Sequence, residues 1–509
     1  MSRVRNFSQG VSVGLAIQAV MVVAGLWMLP FLLQRLGSHE YGLWLVASQV
    51  VAYLALLDFG VLGLLPRDTA VAAGAQSGGH EGPTVSDVIG RSARLLLYLQ
   101  PLLAVVALGV WLSMPDDWRD LKRPLGVLFM AFVILFPTRL LIAALQGLQD
   151  QAYAGWATVA GWGVTTMVTI VLILRGLRLD ALAIAWTAGQ VVTALMAFSR
   201  LHRRHTEVLP RRLPSITKEI RDDYLRRGGW TTLSSISHML LVGTDVLIIA
   251  KIVGPAAVVP YVVTAKLMSV LANQPHLLMQ VALPGLAEMR GQADRQRIFL
   301  VSAALGQLML LMSGAVLVVV LLVNSTFVSW WVGPQQYGGP ALTVALLLVM
   351  TGRHWNATMS YTVFSLGNER QIAIVNMIDG LVTVGAGALL VWAIGPLGAP
   401  LGALLGIALV SAPRYLAILS REFGMSRGAL LAPLAPWAWR TAVIAMVAAV
   451  IGWRPGPVNF LYLALAASIG GLVYIGFQWS VALRPPLGSY LAPRIQSLRA
   501  RFGSVSSDG

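Results

Sequence analysis

The chain has 509 residues, of which 57% are hydrophobic and only 11% charged, with a mean hydropathy of +0.73. A string of soluble domains of this length does not carry that balance, so one membrane-embedded helical bundle is expected instead. The net charge of +16 would suggest nucleic acid in a soluble protein; here it reads as Arg-rich cytoplasmic loops, with no nucleic-acid partner. There is no cysteine, which excludes disulfides and thiolate metal sites.

Long apolar segments follow one another from end to end: Val11–Gln34, Tyr41–Pro66, Ser92–Leu112, Pro124–Gln146, Tyr153–Leu174, Ala181–Ser199 and Trp230–Ile252. Then come Ala257–Pro284, Phe299–Val323, Ala341–Leu366, Gln371–Ile394, Leu397–Leu419, Leu430–Trp453 and Val458–Leu483. Each is roughly 20 residues or more, the length a helix needs to cross a ~30 Å hydrocarbon layer. An apolar slab cannot solvate loose backbone, so helices are the expected form. The predicted fold class is therefore all-α: a polytopic membrane protein with about fourteen transmembrane helices. The start, Arg3 and Arg5 before Val11–Gln34, resembles a signal peptide. Its apolar stretch is too long and no A-x-A-like site follows, so an uncleaved first span is expected.

Orientation follows from Lys and Arg. With the N-terminus inside, roughly 24 fall in cytoplasmic segments, about 7 outside and about 6 within spans. Both termini are then cytoplasmic. The segment Arg200–Arg227 alone carries nine. Within it Leu213, Ile216, Ile220 and Tyr224 recur at helical spacing, which predicts a short amphipathic helix on the cytoplasmic leaflet. The tail repeats the pattern, with Ile495, Leu498 and Phe502 set among Arg494, Arg499 and Arg501. Anionic membrane lipid is the expected partner of both, beside the plainer role of setting topology. Pro30, Pro66, Pro101, Pro137, Pro275 and Pro413 lie in or at the ends of spans and permit bends. Gly395, Gly398, Gly402 and Gly406 form a small-residue face suited to close helix packing.

Two stretches carry a family likeness. In Leu29–Ala70 a span enters a short outer turn with Leu36-Gly37 and Tyr41-Gly42, and the next span ends in Asp58-Phe59-Gly60 and Arg67. In Thr244–Met289, Asp245 lies in a span and Gly254 in an outer turn, followed by Tyr261, Lys266 and a closing Pro284. The sequence resembles the polysaccharide and O-antigen flippases of the multidrug/oligosaccharidyl-lipid/polysaccharide (MOP) exporter superfamily, over nearly its whole length. The two stretches also resemble each other, each setting a cation before a Gly turn and an aromatic soon after, as internal repeats of transporters do.

The resemblance implies two six-helix lobes around a central cavity and a final helix pair. The corresponding segments are an N-lobe over 1–210, a C-lobe over 211–428 that starts with the amphipathic helix, and 429–509 with the last two helices and a basic tail. It also implies a function: translocation of undecaprenyl-pyrophosphate-linked oligosaccharide repeat units across the bacterial inner membrane, by alternating access, for O-antigen, capsule or exopolysaccharide. The polysaccharide polymerase and chain-length machinery are the implied partners. Two other readings stay open, a multidrug efflux antiporter of the same superfamily and a membrane glycosyltransferase or polysaccharide ligase or polymerase.

Charges inside the spans are costly and therefore functional candidates. They are Asp58, Arg139, Asp245, Lys251, Lys266, Arg353, Asp379, Arg414 and Arg440, with His238, His276 and His354. Lys251, Arg414 and Arg440 lie near span ends and can snorkel. Arg139, Lys266 and Arg353 lie deeper and come from both lobes. Arg offers a planar fork for paired phosphate oxygens and Lys a point charge, so these three are the expected pyrophosphate ligands. The competing reading pairs each with Asp58, Asp245 or Asp379. Asp58, Arg67, Asp245 and Asp379 are the expected gating or ion-coupling residues, with Asp58 pairing Arg67 or Arg94 at an inner gate or fixing helix packing. The histidines read mainly as hydrogen-bonded packing residues. Trp330, Trp331 and Tyr337 read as an interfacial aromatic belt, with sugar stacking as the rarer use. No Walker A loop, nucleophile elbow or H-E-x-x-H appears, so no enzyme, cofactor or metal is expected and ATP is not the direct energy source.

Overall fold

The computed structural model describes residues 2–78, 82–210, 212–272, 295–454 and 456–492, with side chains from residue 20 onward. Among them every regular element is a helix. Ten helical stretches are long and apolar enough to cross a membrane, and eleven once a bent pair is taken as one span. Three of the ten hold a break: Val20–Asp58 at Gly37, Asp116–Gly147 at Phe136–Thr138 and Glu369–Phe423 at Gly395. The 26-residue helix Pro340–Ser365 completes the series read from hydropathy. Large apolar side chains point outward: Trp392 is 79% exposed, Val450 72% and Leu389 71%. Water would penalise that surface, whereas lipid tails solvate it.

The chain forms two compact units, Met1–Met239 and Leu240–Gly509. In the first, α1 (Ser2–Leu54) breaks at Gly37, whose φ of +77° suits a residue without Cβ. It is followed by α2 (Val61–Ser77), α3 (Val85–Leu112), α4 (Arg119–Leu135), α5 (Arg139–Gly147), α6 (Gln151–Leu174) and α7 (Leu179–Arg204). Helices α6 and α7 cross where Gly161 meets Gly189. A Cβ on either would lie 2.6–2.7 Å from the other's carbonyl oxygen, so only glycine permits this approach.

Helix α8 (Lys218–Val242) starts in the basic segment and runs on into the membrane. Leu213 and Ile216 precede it in irregular chain, while Ile220 and Tyr224 belong to its first turns. The expected surface helix is thus the foot of the seventh span. The physical reason is continuity: no proline stands between Lys218 and the apolar run, and Gly228 is used for a close approach to the Phe59 carbonyl. The segment before α8 is fastened to α3. Arg94 donates to the Leu213 carbonyl at 2.7 Å, and Gly90 leaves room for Pro214.

In the second unit, α9 (Thr244–Ile252) is bent by 50° from α8, and α10 (Pro255–Ala272) follows. Next come α11 (Arg295–Val332), α12 (Pro340–Ser365), α13 (Glu369–Ile394), α14 (Gly398–Gly406) and α15 (Ala412–Phe423). The glycine face does pack closely. A Cβ on Gly402 would sit 2.4 Å from the Gly387 backbone, so α14 lies flush on α13. A π-helical turn at Ile407–Ser411 joins α14 to α15, just before Pro413 removes a backbone donor. The short α16 (Arg427–Leu431) leads to α17 (Ala435–Gly452) and α18 (Phe460–Ala482). These last two dock on α11 through a buried polar knot. The Tyr474 hydroxyl lies 3.0 Å from that of Thr441 and donates to the Leu310 carbonyl at 3.1 Å, and Gln478 donates to Thr441 at 2.9 Å.

Candidate functional site

In the first unit two helix breaks meet around Arg139. The span expected over Tyr41–Pro66 stops at Leu54, passes a 3-10 turn at Ala55–Asp58, and restarts at Val61. Asp58 causes the break locally, since its carboxylate accepts from the Gly60 N–H at 3.0 Å and closes a tight turn. A second 3-10 turn, Phe136–Thr138 with Pro137 at its centre, separates α4 from α5. Arg139 opens α5 and donates to the Ala55 carbonyl across the gap, at 3.4 Å. Its guanidinium lies 6.0 and 5.8 Å from the Phe132 and Phe136 ring centres. Asp58 is near enough for an attraction of opposite charges. The long hydrogen bond and aromatic contacts leave most of the guanidinium donors uncommitted.

Asp58 does not pair with Arg67 or Arg94 here. Arg94 is engaged by Leu213, and Arg67 is exposed. The neighbouring Asp68 carries the ion pair instead. It takes both terminal nitrogens of Arg227 at 2.9 and 3.2 Å, while Asp223, one turn back on α8, takes Nε at 2.8 Å. This doubly acidic clamp ties α2 to the foot of α8. Its signal in the sequence was the Asp223 and Arg227 spacing, i and i+4 on one helix face. Two further ion pairs escaped sequence reasoning, Glu40 with Arg178 at 2.6 Å and Asp150 with Arg200 at 2.6 Å. They join the ends of helices far apart in sequence, and no local pattern marks them.

The second unit brings Arg353, Asp379 and Asp245 close together. Arg353 on α12 donates to both oxygens of Asp379 on α13, at 2.6 and 3.1 Å. Asp379 is fully buried. Thr383, one turn on, accepts from Arg353 at 3.2 Å and donates to Asp379 at 3.1 Å. The glycine face makes space for this group, because a Cβ on Gly406 would lie 2.3 Å from the Asp379 carboxylate. Asp245, in the first turn of α9, accepts a hydrogen bond from the buried Tyr261 hydroxyl and also feels the charge of Arg353. Tyr415 donates to Asn376 at 2.7 Å alongside. Arg353 thus has a carboxylate partner in this state, as the pairing alternative anticipated.

Lys266 differs. It lies on α10, half-buried, and among the described residues its ammonium makes neither an ion pair nor a hydrogen bond. Lys251 and Arg414 are exposed, and Arg440 reaches the Phe477 carbonyl at 3.0 Å and Ser480 at 2.8 Å. His354 is buried 2.7 Å from the Ser313 hydroxyl, as a packing histidine would be. His276 and the tail residues Arg494 to Phe502 lie outside the described residues. Trp331 stacks on Phe327 at 5.3 Å, and Trp330 lies 6.1 Å from Phe460. Arg139 therefore belongs to one unit, and Lys266 and Arg353 to the other.

A family model described as "Polysaccharide biosynthesis protein" matches residues 118–336. No curated protein matches the sequence significantly. Solved structures share the fold. The lipid II flippase MurJ in an inward closed conformation is 11% identical with a TM-score of 0.61, over 91% of this chain and 100% of that one. An inward-facing multidrug resistance MATE family transporter of the MOP superfamily is 17% identical with a TM-score of 0.57, over 77% of this chain and 91% of its own. A MOP superfamily transporter from Pyrococcus furiosus is 17% identical with a TM-score of 0.54, over 91% and 95%. Its description reports a binding pocket of reverse polarity and suggests a different function.

Proposed function

We propose that this chain, which has the fold of the MOP exporter superfamily and matches a polysaccharide-biosynthesis family over residues 118–336, is a lipid-linked oligosaccharide flippase. It moves undecaprenyl-pyrophosphate-linked repeat units from the cytoplasmic to the periplasmic face of the inner membrane, with both termini cytoplasmic, and it transports without catalysing a bond change. The observation that carries this reading is the pair of uncommitted cations within the spans. Arg139, with Asp58 nearby but not ion-paired to it, and Lys266 make no ion pair among the described residues, and an intramembrane cation not held by a carboxylate suits an anionic visitor. Pyrophosphate suits both the Arg fork and the Lys point charge.

In this scheme the two units are the lobes of an alternating-access transporter, cations within the spans meet the headgroup, and the prenyl tail stays in lipid. Arg353 takes part by exchange, because an incoming phosphate competes with Asp379 for its donors, so that Asp379 and Asp245 act as gates. Asp58 does the same for Arg139. The membrane potential assists, since moving negative charge outward gains ~2.3 kcal/mol per charge per 100 mV when the inside is negative.

The test is the lipid-linked oligosaccharide pool of a deletion strain, with sidedness scored by an outer-face enzyme probe. Accumulation of one glycolipid on the inner face is expected. An unchanged pool with gained sensitivity to cationic drugs would instead indicate an efflux pump. Loss of an outer-face polymer with the lipid-linked unit accumulating outside would indicate a ligase or polymerase.

A further inference from the structure

The second unit contains a cavity that the transport scheme does not use. Helices α11, α12, α15 and α16 enclose about 60 Å³, lined by Phe299, Trp355, Met359, Leu416, Leu430 and Leu434 among others. That is room for about four waters or a hydrocarbon segment of similar bulk, and the apolar lining favours the hydrocarbon. Among the described residues the hydroxyl of Ser302, a lining residue only 9% exposed, has no hydrogen-bond partner. A buried hydroxyl without a partner is costly and points to an absent acceptor.

The same end of the unit is basic. Arg295 opens α11 and donates to the Glu422 carbonyl at 2.9 Å, and Asn368 takes the Glu422 carboxylate at 3.0 Å. Arg421 and Arg427 flank the cavity-lining Phe423 and Leu430, are exposed, and have no partner among the described residues. Two exposed arginines within three residues of lining side chains, a hydroxyl donor two turns inside α11 and an apolar chamber supply three kinds of contact. Phosphate, ester carbonyl and acyl chain follow in that order in a phospholipid.

We propose that this cavity is a binding site for an anionic phospholipid, its phosphate on Arg421 and Arg427, an ester carbonyl on Ser302 and an acyl chain among Phe299, Trp355 and Leu430. Anionic headgroups are drawn to such basic ends of membrane helices, and the cavity turns a general attraction into a defined site.

The test uses the purified full-length chain and phosphatidylglycerol carrying a diazirine in one acyl chain, with adducts mapped by peptide mass spectrometry. Adducts are expected on the cavity-lining stretches of α11, α12 and α15–α16, competed by dioleoyl phosphatidylglycerol and not by dioleoyl phosphatidylcholine. Losing the charge-assisted contacts in an Arg421→Gln/Arg427→Gln variant should weaken labelling about ten-fold. Both positions are exposed, so the fold is spared. Ser302→Leu, which removes the donor and fills the chamber, should weaken it as well, with an unchanged melting temperature showing that the unit is intact. Equal competition by phosphatidylcholine, full labelling of the double Arg variant, or adducts confined to other surfaces would overturn the site. So would displacement by inorganic phosphate alone, which would mark a plain anion site. Displacement by undecaprenyl pyrophosphate at lower concentration than phosphatidylglycerol would give the cavity to the transported lipid.

Discussion

A guanidinium inside a membrane can give its donors to a fixed carboxylate or to a visiting anion; Arg353 takes the carboxylate, and Arg139 is proposed to take the anion. Arg353 is held bidentately by Asp379, so Asp379→Ala should strand a buried charge and lower stability by about 3–5 kcal/mol, read as a fall in melting temperature in detergent. Arg353→Met combined with Asp379→Leu is expected to recover most of that loss, because well-packed apolar groups replace a buried pair at little cost. An Asp379→Ala variant as stable as the parent would show that the pair carries no structural weight. Arg139, by contrast, has a long contact to Ala55 and aromatic neighbours. Arg139→Ala should cut export about ten-fold with little loss of stability, and Arg139→Lys should keep part of it. Full export by Arg139→Ala would remove it from the substrate path. Both arginines and Asp379 were legible in the sequence as charges within apolar segments. Which of the three carboxylates Arg353 takes was not, since Asp379 stands 26 residues away on a neighbouring helix and only packing brings them together.

The helices themselves were the easier part to read. Hydropathy located the membrane segments because each must be apolar along its length. It did not show the break at Ala55–Asp58, where Leu54-Ala55-Leu56-Leu57 has the composition of uninterrupted helix and the interruption comes from one Asp58 side-chain bond to the Gly60 backbone. Pro137 did mark its break in advance. The glycine face over Gly395–Gly406 predicted close packing, and α14 on α13 bears it out. Gly402→Val should therefore lower the melting temperature, by an overpacking cost of about 1–3 kcal/mol. Gly476→Ala on α18, where a Cβ meets nothing within 4 Å, should be neutral or slightly stabilising. Equal effects at the two positions would mean that the α13–α14 contact does not limit stability.

For the molecule as a whole, a charge tally implies the orientation and the family resemblance implies the two-lobed scheme, and the orientation can be probed directly. The chain contains no cysteine, so any introduced one is unique. Ser426→Cys, in the turn before α16, should react with a membrane-impermeant thiol reagent only when the cytoplasmic face is exposed. Gln335→Cys, in the turn before α12, should react in intact spheroplasts. The opposite labelling would invert the topology and with it the direction of transport.

The proposed role of Lys266 and Arg139 is to hold the pyrophosphate of a lipid-linked oligosaccharide. Its most direct test is the sidedness of that lipid in cells whose sole copy of the protein is the Arg139→Ala/Lys266→Ala variant, with membrane levels of the protein matched to the parent. Accumulation of the glycolipid on the cytoplasmic face, to the level of the deletion strain, is expected. A wild-type distribution of the glycolipid would contradict it.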